Sequence, residues 1–148
     1  MVPESPAETG SHPAAPYVPD PRRALAIIER AYRGALETQY SDALYCAFLF
    51  HRHLGGLDVL LRGPAVTHAS HRGRTPQLRL GKRTVTTLND PRGGVEALLR
   101  SGVRVWAEEP ALRAHGLDPD NDLLAGVGSV AAGVMATRWP DYHAVFYL

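Results

Sequence analysis

Cysteine is almost absent from this sequence: Cys46 is the only one in 148 residues. A single thiol rules out an internal disulfide framework and is compatible with a reducing compartment. An excess of charge is missing too, with 16 Lys and Arg against 15 Asp and Glu, so no overall field draws the chain to nucleic acid or to an anionic membrane. Long apolar runs are also lacking. The longest strongly apolar one, Ala43 to Phe50, falls far short of the roughly 20 residues needed to cross a bilayer. The first residues do not pair a basic segment with an apolar one, as a secretory signal would. These absences predict a cytoplasmic protein with neither nucleic acid nor membrane as partner.

What is present is the material of one domain, large enough to bury a core without disulfides or a structural metal. Six prolines lie within residues 1–21, a composition that predicts a flexible tail, and residues 22–148 are expected to form the single folded domain. Short apolar runs then alternate with helical stretches. Ala24 to Ile28 and Leu57 to Leu61 read as strands. Between them lies a helix with Thr38 or Ser41 as its cap, ending near Leu54 before Gly55 and Gly56. Thr84 to Leu88 reads as a short extra strand, Gly94 to Ser101 as a helix, and Val103 to Ala107 as the next strand. Pro110 suits the first turn of a short helix closed by Gly116. Leu123 to Val127 is a further apolar run, Gly128 to Arg138 a helix, and Ala144 to Leu148 a last strand. Strands alternating with helices predict a three-layer α/β/α sandwich whose mainly parallel sheet of about five strands is covered on both faces. Residues 43–50 are apolar on every side of two helical turns, so this helix should be covered on its far side as well, by a second copy of the chain or by another part of its own.

The segment Gly102-Val103-Arg104-Val105-Trp106-Ala107-Glu108-Glu109-Pro110, continuing through His115-Gly116-Leu117, resembles the DsrE/DsrF-like family. There a Gly-Val opens a strand, a cysteine follows its end, and a short helix closes on a Gly-aliphatic pair. The order of the flanking elements, Gly126-Val127-Gly128 and the ending Val145-Phe146-Tyr147-Leu148 extend the resemblance from about Arg23 to the C-terminus. It implies a three-layer sandwich, assembly into dimers, trimers or hexamers and, for many members, sulfur relay through a persulfide on that cysteine. Glu108 stands in the cysteine's place, and a carboxylate cannot attack and release sulfur as a thiolate does. Cys46, within an apolar helix, reads as a packing residue.

Glu108 should close a strand at the edge where open α/β sheets bind ligands, and there it is a candidate general acid or base. The alternative is that Glu108 or Glu109 interacts with the helix N-terminus after Pro110. Glu29 and Arg33, in the loop after the first strand, are ligand-binding candidates at the same edge, Arg33 as a clamp for a carboxylate or phosphate. His68 is a proton-transfer candidate. Gly128 and Ser129, expected to open a helix, are candidates for holding an anion on free amides. No metal is expected, because His68 and His71 lack a third donor and His51 and His53 face different directions on a helix. No cofactor is expected either, since the glycines at 126, 128 and 133 miss the dinucleotide spacing. The basic stretch Arg62 to Arg83 lacks the interleaved aromatics of a single-strand binder, and Asp118 to Asp122 reads as a turn and capping cluster. The sequence therefore points to a DsrE-like homo-oligomer that binds a small molecule or partner protein. Two alternatives remain, an enzyme using Glu108 and a sulfur-transfer accessory protein.

Overall fold

The computed structural model describes residues 14, 16–31, 42–72, 78–85 and 90–148. Its centre is a five-stranded sheet in which every pairing is parallel: β1 (Ala24–Ile28), β2 (Leu57–Leu61), β5 (Arg104–Glu108), β6 (Val127–Val130) and β7 (Ala144–Tyr147), in the order β6-β5-β2-β1-β7. β3 (Leu78–Leu80) and β4 (Arg83–Val85) form a separate antiparallel hairpin. All five residues of β1 and of β2 are buried, which is why β1 reads as a continuous apolar run and β2 as one broken only by Asp58, neither alternating.

Alternate residues of the strands feed two cores. Ala24, Ala26, Ile28, Val59, Leu61, Val105 and Ala107 face α1 (Ala43–His53), the 3-10 helix Gly63–Ala69, α2 (Pro91–Arg100) and α3 (Glu109–Ala114). Leu25, Ile27, Leu60 and Trp106 face a thinner layer, built from α4 (Val134–Thr137), Tyr142 and the N-terminal segment. The sandwich therefore has one thick and one thin outer layer.

Several elements depart from the sequence reading. The cap of α1 is Asp42, whose side chain accepts the Leu44 and Tyr45 N–H groups at 3.0 and 3.2 Å; Thr38 and Ser41 lie outside the described residues. α2 begins three residues early, at Pro91, because Asp90 caps it through the Arg92 N–H. The short extra strand expected from Thr84 is β4, which starts one residue earlier at Arg83 and pairs with β3, and residues 86–88 lie outside the described ones. The apolar run Leu123 to Val127 is not a strand. It makes a single bridge, Ser70 to Leu123, then turns at Gly126 (φ +93°). The strand is Val127–Val130, and the helix expected from Gly128 shrinks to the single turn of α4.

α1 buries Leu44 and Ala47 but leaves Tyr45 59% and Phe50 38% exposed, Phe50 resting edge-on against Phe146 at 5.6 Å. Its outer apolar side is uncovered within the described chain. Residues 16–21, in the stretch expected to be a flexible tail, lie on the thin side of the sheet. Tyr17 packs edge-on against Trp106 at 5.8 Å and donates its hydroxyl to Asp141 at 2.7 Å.

Candidate functional site

Parallel strands end on one side of the sheet, so the residues just beyond neighbouring strands come together there. Glu29 follows β1, Arg62 follows β2 and Glu108 closes β5, and these three strands are adjacent in the sheet. Arg62 sits between the two carboxylates, with Nη1 3.3 Å from Glu29 Oε1 and Nε 3.2 Å from Glu108 Oε1. Glu108 is the more sheltered acid, its side chain 18% exposed against 48% for Glu29. The Glu29 contact is therefore a solvated surface pair worth about 0–1 kcal/mol. Arg62 Nε is buried and makes no properly aligned hydrogen bond, so its contact with Glu108 is one of charge more than of direction. Burial pulls the Arg62 pKa down, but Glu108 and Glu29 outweigh it and the net displacement is upward, which keeps the guanidinium a fixed cation.

Glu108 also occupies the cap position of α3, yet its side chain makes no capping hydrogen bond. Glu109 lies in the first turn of α3, where a carboxylate is favoured by the positive helix end. Glu109 turns instead to Arg113 at 3.0 Å, and the Ser129 hydroxyl donates to it at 3.5 Å.

His68 lies on the 3-10 helix, 9% exposed and hydrogen-bonded to the backbone of Arg30. It thus ties the segment after β1 to the segment after β2. Burial lowers its pKa below the ordinary 6.5, against the smaller opposing effects of the Arg30 bond and of Asp42. The sign follows from linkage. The unfolded chain takes up this proton at a higher pH than the folded one, so stability is full above the ordinary value and falls as pH drops below 6.5 towards the folded pKa. Thermal melts of wild type and His68→Gln from pH 7.5 down to pH 5 are expected to differ in slope, with the shallower decline in His68→Gln. Parallel declines would show that His68 does not carry this dependence.

Gly128 and Ser129 are placed on the edge strand β6 and not at a helix start. Gly128 leaves room for the Trp106 ring, which would lie 2.7 Å from an added Cβ. Arg33 lies outside the described residues. Asp118 to Asp122 is a turn: Asp118 accepts the Asp120 N–H and Asn121 Nδ2, and buried Asp122 accepts the Asp118 N–H and pairs with Arg72 at 2.6 Å. His51 joins two elements, its Nδ1 accepting the Leu57 N–H and its Nε2 facing the Ser101 carbonyl. Among the described residues no group of three or more His, Cys, Asp or Glu is placed to hold a metal ion. Cys46 is half-buried on α1.

The opposite end of the sheet holds a second polar cluster. Asp58, fully buried in β2, accepts hydrogen bonds from Arg23 Nε at 2.8 Å, Arg104 Nε at 2.9 Å and the Tyr142 hydroxyl at 2.8 Å, and the Arg104 fork closes on its second oxygen. Sequence reasoning named neither Asp58 nor, as a site residue, Arg62. Asp58 does carry a signal, because an acid inside the apolar run Leu57–Leu61 needs partners if the strand is buried.

These features define a three-layer α/β/α sandwich around a parallel five-stranded sheet. Two solved structures share the architecture: the ychN protein from E. coli, with a TM-score of 0.65, 18% identity and coverage of 85% of this chain and 98% of that one; and a protein of unknown function, MTH1491 from Methanobacterium thermoautotrophicum, with a TM-score of 0.54, 21% identity and coverage of 82% and 97%. No family model matches the chain, and no curated protein matches it either. Among the described residues no helix is long and apolar enough to cross a membrane.

Proposed function

We propose that this chain is a DsrE-like homo-oligomer without the family's sulfur-carrying cysteine, binding a small molecule or partner protein at the C-terminal edge of its sheet. The observation that supports this reading is the row Glu29-Arg62-Glu108 across the ends of three adjacent strands, the place where open α/β sheets take ligands. Two carboxylates share one guanidinium there, so a ligand that offers amine or hydroxyl donors matches the surplus acceptor oxygens. The exposed apolar side of α1, with Tyr45 and Phe50, supports assembly with further copies.

A second reading, an enzyme with Glu108 as acid or base, draws on the same sheltered carboxylate, and His68 would assist it as a neutral imidazole. A sulfur-transfer accessory role would fall to Cys46 or to a cysteine of a partner.

Native mass spectrometry of the purified protein separates these. Binding predicts a multimer that retains a small ligand, and a Glu108→Gln assembly of the same size that loses it. Retention of the ligand by Glu108→Gln with loss of its conversion would favour the enzyme. A sulfur atom added to the mass of Cys46 would restore sulfur carriage, and a monomer at micromolar concentration would remove the assembly.

A further inference from the structure

We propose that the N-terminal segment around Tyr17 is a displaceable lid over a second binding site, at the opposite end of β5 from Glu108, for a small planar aromatic anion. Tyr17 sits among the groups that would hold such a ligand. Trp106 and Tyr142 flank its ring at 5.8 and 6.4 Å, the Arg138 guanidinium lies over it at 4.0 Å, and Arg104 stands 5.4 Å from both the Tyr17 and the Trp106 rings. Two aromatic walls and two cations form a recognition site for an aromatic ring, and the chain's own tyrosine fills it.

Clefts open to solvent flank the segment on either side, so it has room to move off the sheet face. One cavity of about 460 Å³ lies between Ala14, Trp106, Arg104, Arg100 and Gly126, and another of about 510 Å³ lies between residues 18–23 and Arg104. Clefts of this size match ligand sites. The charge fits an anion. Arg23, Arg104 and Arg138 stand against two carboxylates, Asp58 and Asp141, which leaves one positive charge uncompensated, and Arg100 on the cavity wall has no ion-pair partner among the described residues. The segment itself is held by few polar contacts, chiefly Tyr17 to Asp141 at 2.7 Å and Arg104 to the Val18 carbonyl at 2.6 Å.

The experiment uses the full chain with Trp139→Phe, which leaves Trp106 as the only indole, and anilinonaphthalene sulfonate as the probe. Energy transfer from Trp106 should saturate at one probe per chain. Tyr17→Ala should tighten binding about tenfold, the tax expected of a lid closed about nine-tenths of the time. Arg100→Glu should weaken it severalfold in either background. Should Tyr17→Ala fail to melt cooperatively, Tyr17→Phe replaces it; losing only the Asp141 bond, it must shift affinity in the same direction by a smaller factor. Absence of saturable transfer from Trp106, equal or weaker affinity on loosening the lid, or indifference to Arg100→Glu each overturns the proposal.

Discussion

Asp58→Ala is expected to lower stability by about 3 kcal/mol, near the bottom of the range of about 3–5 kcal/mol for stripping one partner from a buried ion pair. The loss comes from what remains. Arg23 and Arg104 would keep their charges beside a hydrophobic sheet face without the carboxylate that both use. The lower end applies because their side chains are still 17% and 16% exposed, so water relieves part of the cost. The Tyr142 hydroxyl would lose its acceptor as well. Burial, and then the Asp58 charge beside it, raises the Tyr142 pKa, so the phenol stays protonated and cannot offset the two cations. For a chain of this size about 2–4 °C accompanies each kcal/mol, so the melting temperature should fall by roughly 6–12 °C. A fall of a degree or less would mean that the cluster is solvated and structurally idle.

Gly128→Val sets two effects of opposite sign against each other. Gly128 lies within a strand, where a β-branched residue gains up to about 1 kcal/mol over glycine. Against that, the new Cβ would meet Trp106 Cδ1 at 2.7 Å and Nε1 at 3.0 Å, with the Ala14 methyl at 3.3 Å. The indole has little freedom to retreat, being 4% exposed and flanked by Tyr17 and Arg104. Overpacking of this kind costs about 1–3 kcal/mol, so the clash wins and the net change is destabilising by about 1–2 kcal/mol. Chemical denaturation gives the sign, and the emission of Trp106 should shift as the ring is displaced. A stabilised Gly128→Val would show that the indole moves aside freely.

Much of the fold was legible for reasons these residues make plain. β1 and β2 are buried on both faces, so their runs are apolar but for Asp58, the first bounded by Arg23 and Glu29 and the second by Gly56 and Arg62. Glu108 was placed at a strand end because Gly102 and Pro110 punctuate the segment on either side. β6 is hidden in the sequence because Leu123 to Val127 is more apolar than Val127–Val130, and an apolar run is the signal of a buried strand. Leu123 makes one bridge and Leu124 fills the core from a turn, while the true strand carries a glycine that makes room for Trp106. Arg62 gives no local signal, because an arginine before Gly63-Pro64 reads as solvated loop; its place between two acids depends on strand order. Asp58 has partners 35, 46 and 84 residues away, separations at which local pattern carries no information.

Strand order also shapes how the chain reaches this state. β1 pairs on one side with β7, which lies far along the sequence, with Ala24 opposite Ala144. Until β7 docks, β1 is an uncovered edge of five apolar residues, the kind of strand that recruits foreign ones. The loop that must close is long, and parallel pairing across such a separation is slow. A chain lacking Ala144–Tyr147 would therefore hold most of its core and still present a sticky margin, on which β7 acts as the stopper.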